Sequence, residues 1–247
     1  MGGIIRSLSI ACGITGLVAA AGLPVGAPIF SPARALLRID DRLADPTAVA
    51  LTFDDGPHPQ GTPAVLEMLE RYRVHATFFL VGEQVRRRPS LATEIAARGH
   101  RIGIHADTHR VAVWLTPGAF GDGLDRAASA IADAVGYVPD LYRPPRGVLT
   151  YGALAEVRRR GWCPVLWAAD GRDWRSVATP ESISARIAPR LRGGEVVLLH
   201  DSDFYSSSGS WRNTVAALPS LLAAIEAKGL SSVPLSRRSL SRQAMPG

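Results

Sequence analysis

From Ala48 onward the chain repeats one pattern: a short, uninterrupted apolar run, a polar cluster, then a stretch with helical spacing. Val49-Ala50-Leu51-Thr52-Phe53, Ala76 to Val81, Arg101 to Ile104, Leu141-Tyr142, Val165 to Ala168 and Val196 to Leu199 read as strands. Between and after them, Thr62 to Tyr72, Pro89 to Arg98, Gly118 to Val135, Tyr151 to Arg160, Pro180 to Leu191 and Thr214 to Ala227 read as helices. Pro189 ends or kinks the fifth of these, because proline removes a helical donor. Ser232 to Leu235 is a candidate last strand. Strands that are apolar throughout, rather than alternating, are buried on both faces, which implies a parallel sheet covered by helices. The fold class expected is α/β, a single barrel-like domain.

That topology makes a second prediction. Asp54-Asp55, His105, Arg143, Asp170 and His200 each follow an expected strand. In a parallel barrel all strand C-terminal ends open on one face, so these distant residues meet in one pocket. His105 and His109, four residues apart, can reach one cation. Asp54 and Asp55 are neighbours whose side chains leave the strand end in different directions, so one can serve a metal while the other faces a substrate. Turn chemistry accounts for Asp55-Gly56-Pro57 but not for Asp54. One carboxylate and two imidazoles leave a coordination position open for water, the pattern of a catalytic rather than a structural centre. Such a cation lowers the pKa of its water and polarises a carbonyl. A second carboxylate then accepts a proton, and His200 is the natural acid. His58, His75 and His100 are assigned to turns and strand starts.

Composition narrows the alternatives. The net charge is +6, carried almost entirely by arginine, with Lys228 the only lysine. The basic residues are scattered without interleaved aromatics, which argues against nucleic-acid binding. Cys12 and Cys163 make no disulfide framework: Cys12 lies in the N-terminal apolar run, and Cys163 is expected as a small core residue. Arg6 precedes an uncharged stretch from Ser7 to Ala33 that ends in small residues, the order of a secretory signal. Cleavage is expected after Ala19-Ala20-Ala21 or after Ala33-Arg34-Ala35. An uncleaved membrane anchor is the alternative, disfavoured by Gly22, Pro24, Gly26 and Pro28. Both imply export. The expected layout is residues 1–35 as signal or anchor, 36–46 as linker, 47–236 as the catalytic domain and 237–247 as a frayed tail.

These residues, in this order, resemble the polysaccharide deacetylase family, the NodB homology domain of carbohydrate esterase family four. Its motifs correspond to Thr52-Phe53-Asp54-Asp55-Gly56-Pro57, His105-Ala106-Asp107-Thr108-His109, Arg143-Pro144-Pro145-Arg146-Gly147, Asp170-Gly171-Arg172-Asp173-Trp174 and Leu198-Leu199-His200-Asp201. The resemblance covers Thr47 to Leu235. It implies a distorted (β/α) barrel and removal of N- or O-acetyl groups from a polysaccharide. It further implies Asp54 as base and His200 as acid, with Arg143 orienting Asp54 and Asp173 holding His200. Asp55, His105 and His109 would bind one divalent metal ion, zinc in first place with cobalt, nickel or manganese as alternatives. Trp174 and Leu198 would wall the acetyl pocket, Pro145 would line the substrate site, and the backbone N–H of Arg146 would face the oxyanion. The expected partner is an acetylated glycan, with membrane contact only through the N-terminal segment and a monomeric chain. A catalytically weak glycan-binding protein of the same fold, or an amidase acting on non-sugar C–N bonds, are the alternatives.

The second motif departs from the family pattern. Ile104, Ala106 and Arg110 stand where the family usually has Asn, Ser or Thr, and Pro. The hydroxyl that would tether the ligand loop is missing, leaving Thr108 or Asp107 as substitutes. Ser202 to Asn213, rich in serine and glycine, resembles an insertion beside the acid and is expected as a mobile, substrate-selecting rim or a plain loop.

Overall fold

The structure, a computed structural model, describes residues 37–240 together with residues 24, 25 and 34. Apart from residues 24, 25 and 34, the expected signal or anchor segment lies outside the described residues, as do Cys12 and the end of the tail. No helix among the described residues is long and apolar enough to cross a membrane.

The elements in chain order are β1 (Pro24–Val25), β2 (Ala48–Asp54), α1 (Gly61–Arg71), β3 (Thr77–Val81), α2 (Gly82–Arg87), α3 (Pro89–Ala97), β4 (Arg101–Ala106), α4 (Pro117–Val135), β5 (Leu141–Tyr142), β6 (Leu149–Thr150), α5 (Tyr151–Arg159), β7 (Cys163–Pro164), β8 (Ala169–Asp170), α6 (Pro180–Ile187), β9 (Val196–His200), α7 (Ser210–Ala227) and β10 (Ser231–Ser232). The main sheet runs in the order β7-β5-β4-β3-β2-β9-β8, and β10 adds to the start of β2. Its pairings are parallel throughout. It curls into an open, distorted barrel, as expected from strands that bury both faces. Every residue of β2 and of β3 is buried. One apolar cluster joins the sheet to its helices through Leu51, Phe53, Phe78, Ile102 and Leu199, and a second, including Ala50, Phe79, Leu141 and Val196, fills the other side. Outside the main sheet, β1 pairs antiparallel with β6.

Local sequence chemistry sets several boundaries. The Thr116 hydroxyl accepts from the backbone of Ala119, Pro117 opens α4, and Gly136 closes it at φ 81°. Thr179 and Ser182 form a reciprocal capping box at the start of α6. Helix α6 stops at Ile187 and tightens into a 3-10 turn over Ala188–Arg190, where Pro189 cannot supply a donor.

Four expectations are corrected. Val165 to Ala168 is not a strand. The ladder stops at Pro164 and resumes at Ala169, because the carbonyls of Val165 and Leu166 turn to the Arg143 guanidinium at 3.3 and 3.1 Å. Of the expected linker, residues 37–46 are described and belong to the domain: Ile39 and Leu43 are buried, Asp40 bridges Val165, and Arg42 bridges Glu195, filling the gap where the barrel fails to close. The tail is packed as far as Leu240, which is buried and bridges Leu43. The last strand is only Ser231–Ser232; beyond it Leu235 is held by a backbone bond to the Thr77 hydroxyl at 2.8 Å. The helix α2 and the short strand β6 carried no clear periodicity in the sequence, and α7 begins at Ser210, one turn before the expected Thr214.

Gly103 in β4 is where strand and site meet most tightly. A methyl group there would fall 2.5 Å from two carbons of the buried Phe79 ring. That ring in turn supports the Arg143 guanidinium at 4.1 Å. Gly103→Ala is therefore expected to destabilise the fold by about 1–3 kcal/mol, measured by chemical denaturation. Gly118→Ala, which meets open space in α4, is the control and is expected to cost nothing.

Candidate active site

The C-terminal ends of β2, β4, β8 and β9, with the segments after β5 and β7, surround one cleft of about 210 Å³. Its walls are Asp54, Asp55, His105, His109, Arg146, Trp167, Trp174, Leu198, His200, Tyr205 and Ser206. Asp54 and His200 are partners in the β2–β9 register, which brings residues separated by most of the chain onto one edge of the opening.

Beneath Asp54 lies Arg143, which is completely buried. It donates to Asp54 Oδ1 at 2.8 Å, to Thr52 Oγ1 at 2.7 Å, and to the carbonyls of Val165 and Leu166. Burial works to lower the pKa of Arg143, and Asp54 works against that. A buried guanidinium with every bond directed is a fixed positive charge. It occupies one oxygen of Asp54 and leaves the other free towards the cleft.

Asp55 takes a left-handed conformation, φ 79°, followed by a cis Gly56–Pro57 peptide. Its Oδ1 sits 3.3 Å from His105 Nε2 and 3.3 Å from His109 Nε2. That oxygen is buried and has no hydrogen-bond partner. An orphaned carboxylate oxygen facing two ring nitrogens is a donor set for a cation. Ligands about 2.0–2.1 Å from a tetrahedral cation lie about 3.4 Å from one another, which matches the observed spacing. These are also the only three His, Cys, Asp or Glu residues among the described residues grouped tightly enough to share an ion. His105 Nδ1 is 2.9 Å from the Arg143 carbonyl. As a donor to that oxygen, Nδ1 leaves Nε2 with its lone pair on the Asp55 side. Burial raises the Asp55 carboxyl, but His105, His200 and His109 together bring it down to about 2. Burial pulls His109 down to about 4, keeping it neutral at physiological pH.

Across the cleft, His200 Nδ1 lies 2.9 Å from Asp173 Oδ1, and the His200 backbone donates to Asp173 Oδ2 at 2.7 Å. The Thr214 hydroxyl donates to that same oxygen at 2.8 Å. Burial would lower the His200 pKa. The Asp173 carboxylate, with Asp55 and Asp54 further off, overrides it and raises the value to about 10. His200 is thus a charged donor at neutral pH, with Nε2 turned away from Asp173.

Of the residues expected from the sequence, Asp54, Asp55, His105, His109, Arg146, Trp174, Leu198 and His200 line the cleft. Arg143 and Asp173 lie behind the wall, bonded to Asp54 and His200 respectively. Pro145 is buried in the turn before Arg146 and does not line the cleft. Arg146 has φ 57°, which turns this loop inward. Trp167, Tyr205 and Ser206 were not anticipated. Trp167 lay hidden in a presumed strand, and Tyr205 in a presumed rim. That rim is pinned: Asp203 pairs with His58 at 3.1 Å and accepts from the Gly209 backbone at 2.6 Å. His58 itself accepts from the Gly61 backbone at 2.8 Å, capping α1. The ligand loop lacks its hydroxyl, and Asp107 takes the part of a tether. Asp107 pairs with Arg86 at 2.7 Å and Arg126 at 2.9 Å, and its carbonyl accepts from the Glu83 backbone at 2.9 Å.

A family model described as "Polysaccharide deacetylase" matches residues 42–163. A chitooligosaccharide deacetylase of a Bradyrhizobium species is 34% identical over 213 residues, covering 83% of this chain and 97% of that protein. A peptidoglycan-N-acetylglucosamine deacetylase of Bacillus cereus is 33% identical over 196 residues, covering 76% and 86%. Among solved structures, the Bc1960 peptidoglycan N-acetylglucosamine deacetylase superposes with a TM-score of 0.74 at 28% identity, covering 80% of this chain and 89% of that one. A family 4 carbohydrate esterase from Streptomyces lividans gives 0.71 at 31% identity, covering 80% and 98%.

The His200–Asp173 pair makes stability depend on pH. Because the folded pKa is raised from 6.5 to about 10, the stabilisation is complete below pH 6.5 and is lost as pH rises through about 10. Denaturation midpoints are expected to fall across that window. In His200→Gln the alkaline fall should flatten; an unchanged slope would contradict the assignment.

Proposed function

Since the chain belongs to the polysaccharide deacetylase family, we propose that it hydrolyses the N-acetyl group of N-acetylglucosamine units in a glycan, using a divalent cation held by Asp55, His105 and His109. The observation that carries this reading is the orphaned Asp55 Oδ1, 3.3 Å from each of two ring nitrogens, on the floor of a cleft lined by both Asp54 and His200. The names of the relatives, which specify chitooligosaccharide and peptidoglycan N-acetylglucosamine, support this bond over an O-acetyl ester.

When bound, the cation supplies Lewis acidity that activates water and polarises the acetyl carbonyl. Zinc suits two imidazoles and one carboxylate best, with cobalt, nickel and manganese as alternatives. Asp54 accepts the proton of the attacking water on the oxygen that Arg143 leaves free. Arg143 prevents Asp54 from rotating away and stabilises its charge before the proton arrives. The Arg146 backbone N–H faces the carbonyl oxygen as negative charge develops there. His200, held protonated by Asp173, gives its proton to the departing amine. Asp173 afterwards stabilises the ring for reprotonation. Trp174 and Leu198 take the acetyl methyl, excluding water from the reacting carbonyl. The apolar N-terminal stretch supports export of the chain to where such glycans occur; fractionation of cells producing the full chain would test it.

The direct test is acetate release from chitooligosaccharides, peptidoglycan and acetylated xylan by metal-loaded protein, with chelation and metal add-back. Release from the N-acetylated substrates, abolished by chelator and restored by cation, is expected. Asp54→Asn should reduce kcat by about 10²–10⁴-fold, the range for a proton-transfer group, while still binding metal. Asp173→Asn should move the alkaline limb of kcat/KM to lower pH, because His200 loses the charge that raises it. A loaded protein that released no acetate from any substrate would refute the reading.

A further inference from the structure

The two histidines facing Asp55 are held in different ways. The His105 ring is oriented from behind by the Arg143 carbonyl at 2.9 Å. The His109 ring has no such bond among the described residues. Its neighbour on the cleft side is Tyr205, which lies flat on it, ring centroids 4.4 Å apart and planes 11° from parallel. His105 is tilted against it at 5.3 Å, and Asp55 Oδ1 approaches its Nε2 at 3.3 Å.

Tyr205 is itself anchored. Its hydroxyl donates to Glu83 Oε1 at 2.5 Å and accepts from Gln84 Nε2 at 3.0 Å. Both partners lie in the first turn of α2. The Glu83 backbone N–H also grips the Asp107 carbonyl at 2.9 Å, in the loop that carries His109. One helix turn therefore fixes both the loop bearing His109 and the ring that covers it. Ala106, between His105 and Asp107, offers no side-chain bond for the same purpose.

We propose that Tyr205 is a positioning residue for His109: its anchored ring, laid over the imidazole, takes the place of an orienting hydrogen bond and sets the affinity of the Asp55–His105–His109 site for its cation. This rests on the metal-binding part of the reading given above, not on the identity of the substrate. An aromatic plane in parallel contact opposes rotation of the imidazole about its Cβ–Cγ bond, while leaving Nδ1 unengaged. The segment Ser202 to Asn213, which departs from the expected motif spacing, thus compensates for the altered ligand loop.

The test is titration of Zn²⁺ or Co²⁺ into metal-free protein by competition with a chelating indicator, with unfolding midpoints of each metal-free variant. Tyr205→Ala is expected to weaken binding by about 10–100-fold, the range for loss of a ligand-orienting partner. Tyr205→Phe keeps the stacked ring and should recover most of the affinity. Ser208→Ala alters the same loop at an exposed position and should bind as the parent does. Parental affinity in Tyr205→Ala would overturn the proposal, and so would equal weakening in Ser208→Ala. A parent that bound no cation would overturn both this proposal and the metal site beneath it. A parent that bound cation yet released no acetate would overturn only the deacetylation.

Discussion

A positive charge with no access to water lies under the mouth of this barrel, and much of the architecture follows from accommodating it. Arg143 enters from the end of β5 into a space closed by Phe79, Thr52 and the 165–167 segment. Leaving such a charge unpaired would cost several kcal/mol. Asp54 supplies the countercharge, and Thr52 and two carbonyls satisfy the remaining donors. The Thr52 hydroxyl is committed further, donating to the Val197 carbonyl at 2.6 Å. The pair is thus wired into β2 and β9, and the sheet cannot shift locally without breaking it.

The same demand explains why the barrel stays open. Carbonyls that would continue a ladder after β7 are diverted to Arg143, so β7 and β8 are separated by an irregular stretch. The 39–43 segment plugs that opening, with the Leu166 backbone donating to the Asp40 carbonyl at 2.7 Å. The diversion also swings Trp167 onto the cleft wall, where a regular strand would have placed it in a layer of core.

Two ion pairs mirror one another across the cleft. Asp54 is backed by a buried cation and His200 by a buried anion. The second pair holds His200 in the charge state opposite to what burial alone would favour, because the directed Asp173 carboxylate outweighs desolvation. Between the two lies the Asp55 oxygen with its pair of imidazoles.

Much of this was legible in the chain. Uninterrupted apolar runs alternating with helical spacing determined a parallel α/β barrel, because only burial on both faces permits strands without alternation. Polar residues after each run determined that Asp54, Asp55, His105 and His200 would share an opening, because parallel strands end on one side; of the other two expected there, Arg143 lies buried behind the wall and Asp170 faces a neighbouring cavity beside Arg34 and Leu166. Tertiary structure alone decided the rest. Whether 165–168 paired as a strand depended on Arg143, a partner over twenty residues away, and no local pattern records that competition. Whether 36–46 was linker or plug depended on a gap that exists only once the sheet curls. The loop tyrosine on His109 and the arginines on Asp107 are contacts between side chains from separate elements. Periodicity carries what a residue prefers along its own element; it carries nothing about which distant group arrives opposite it.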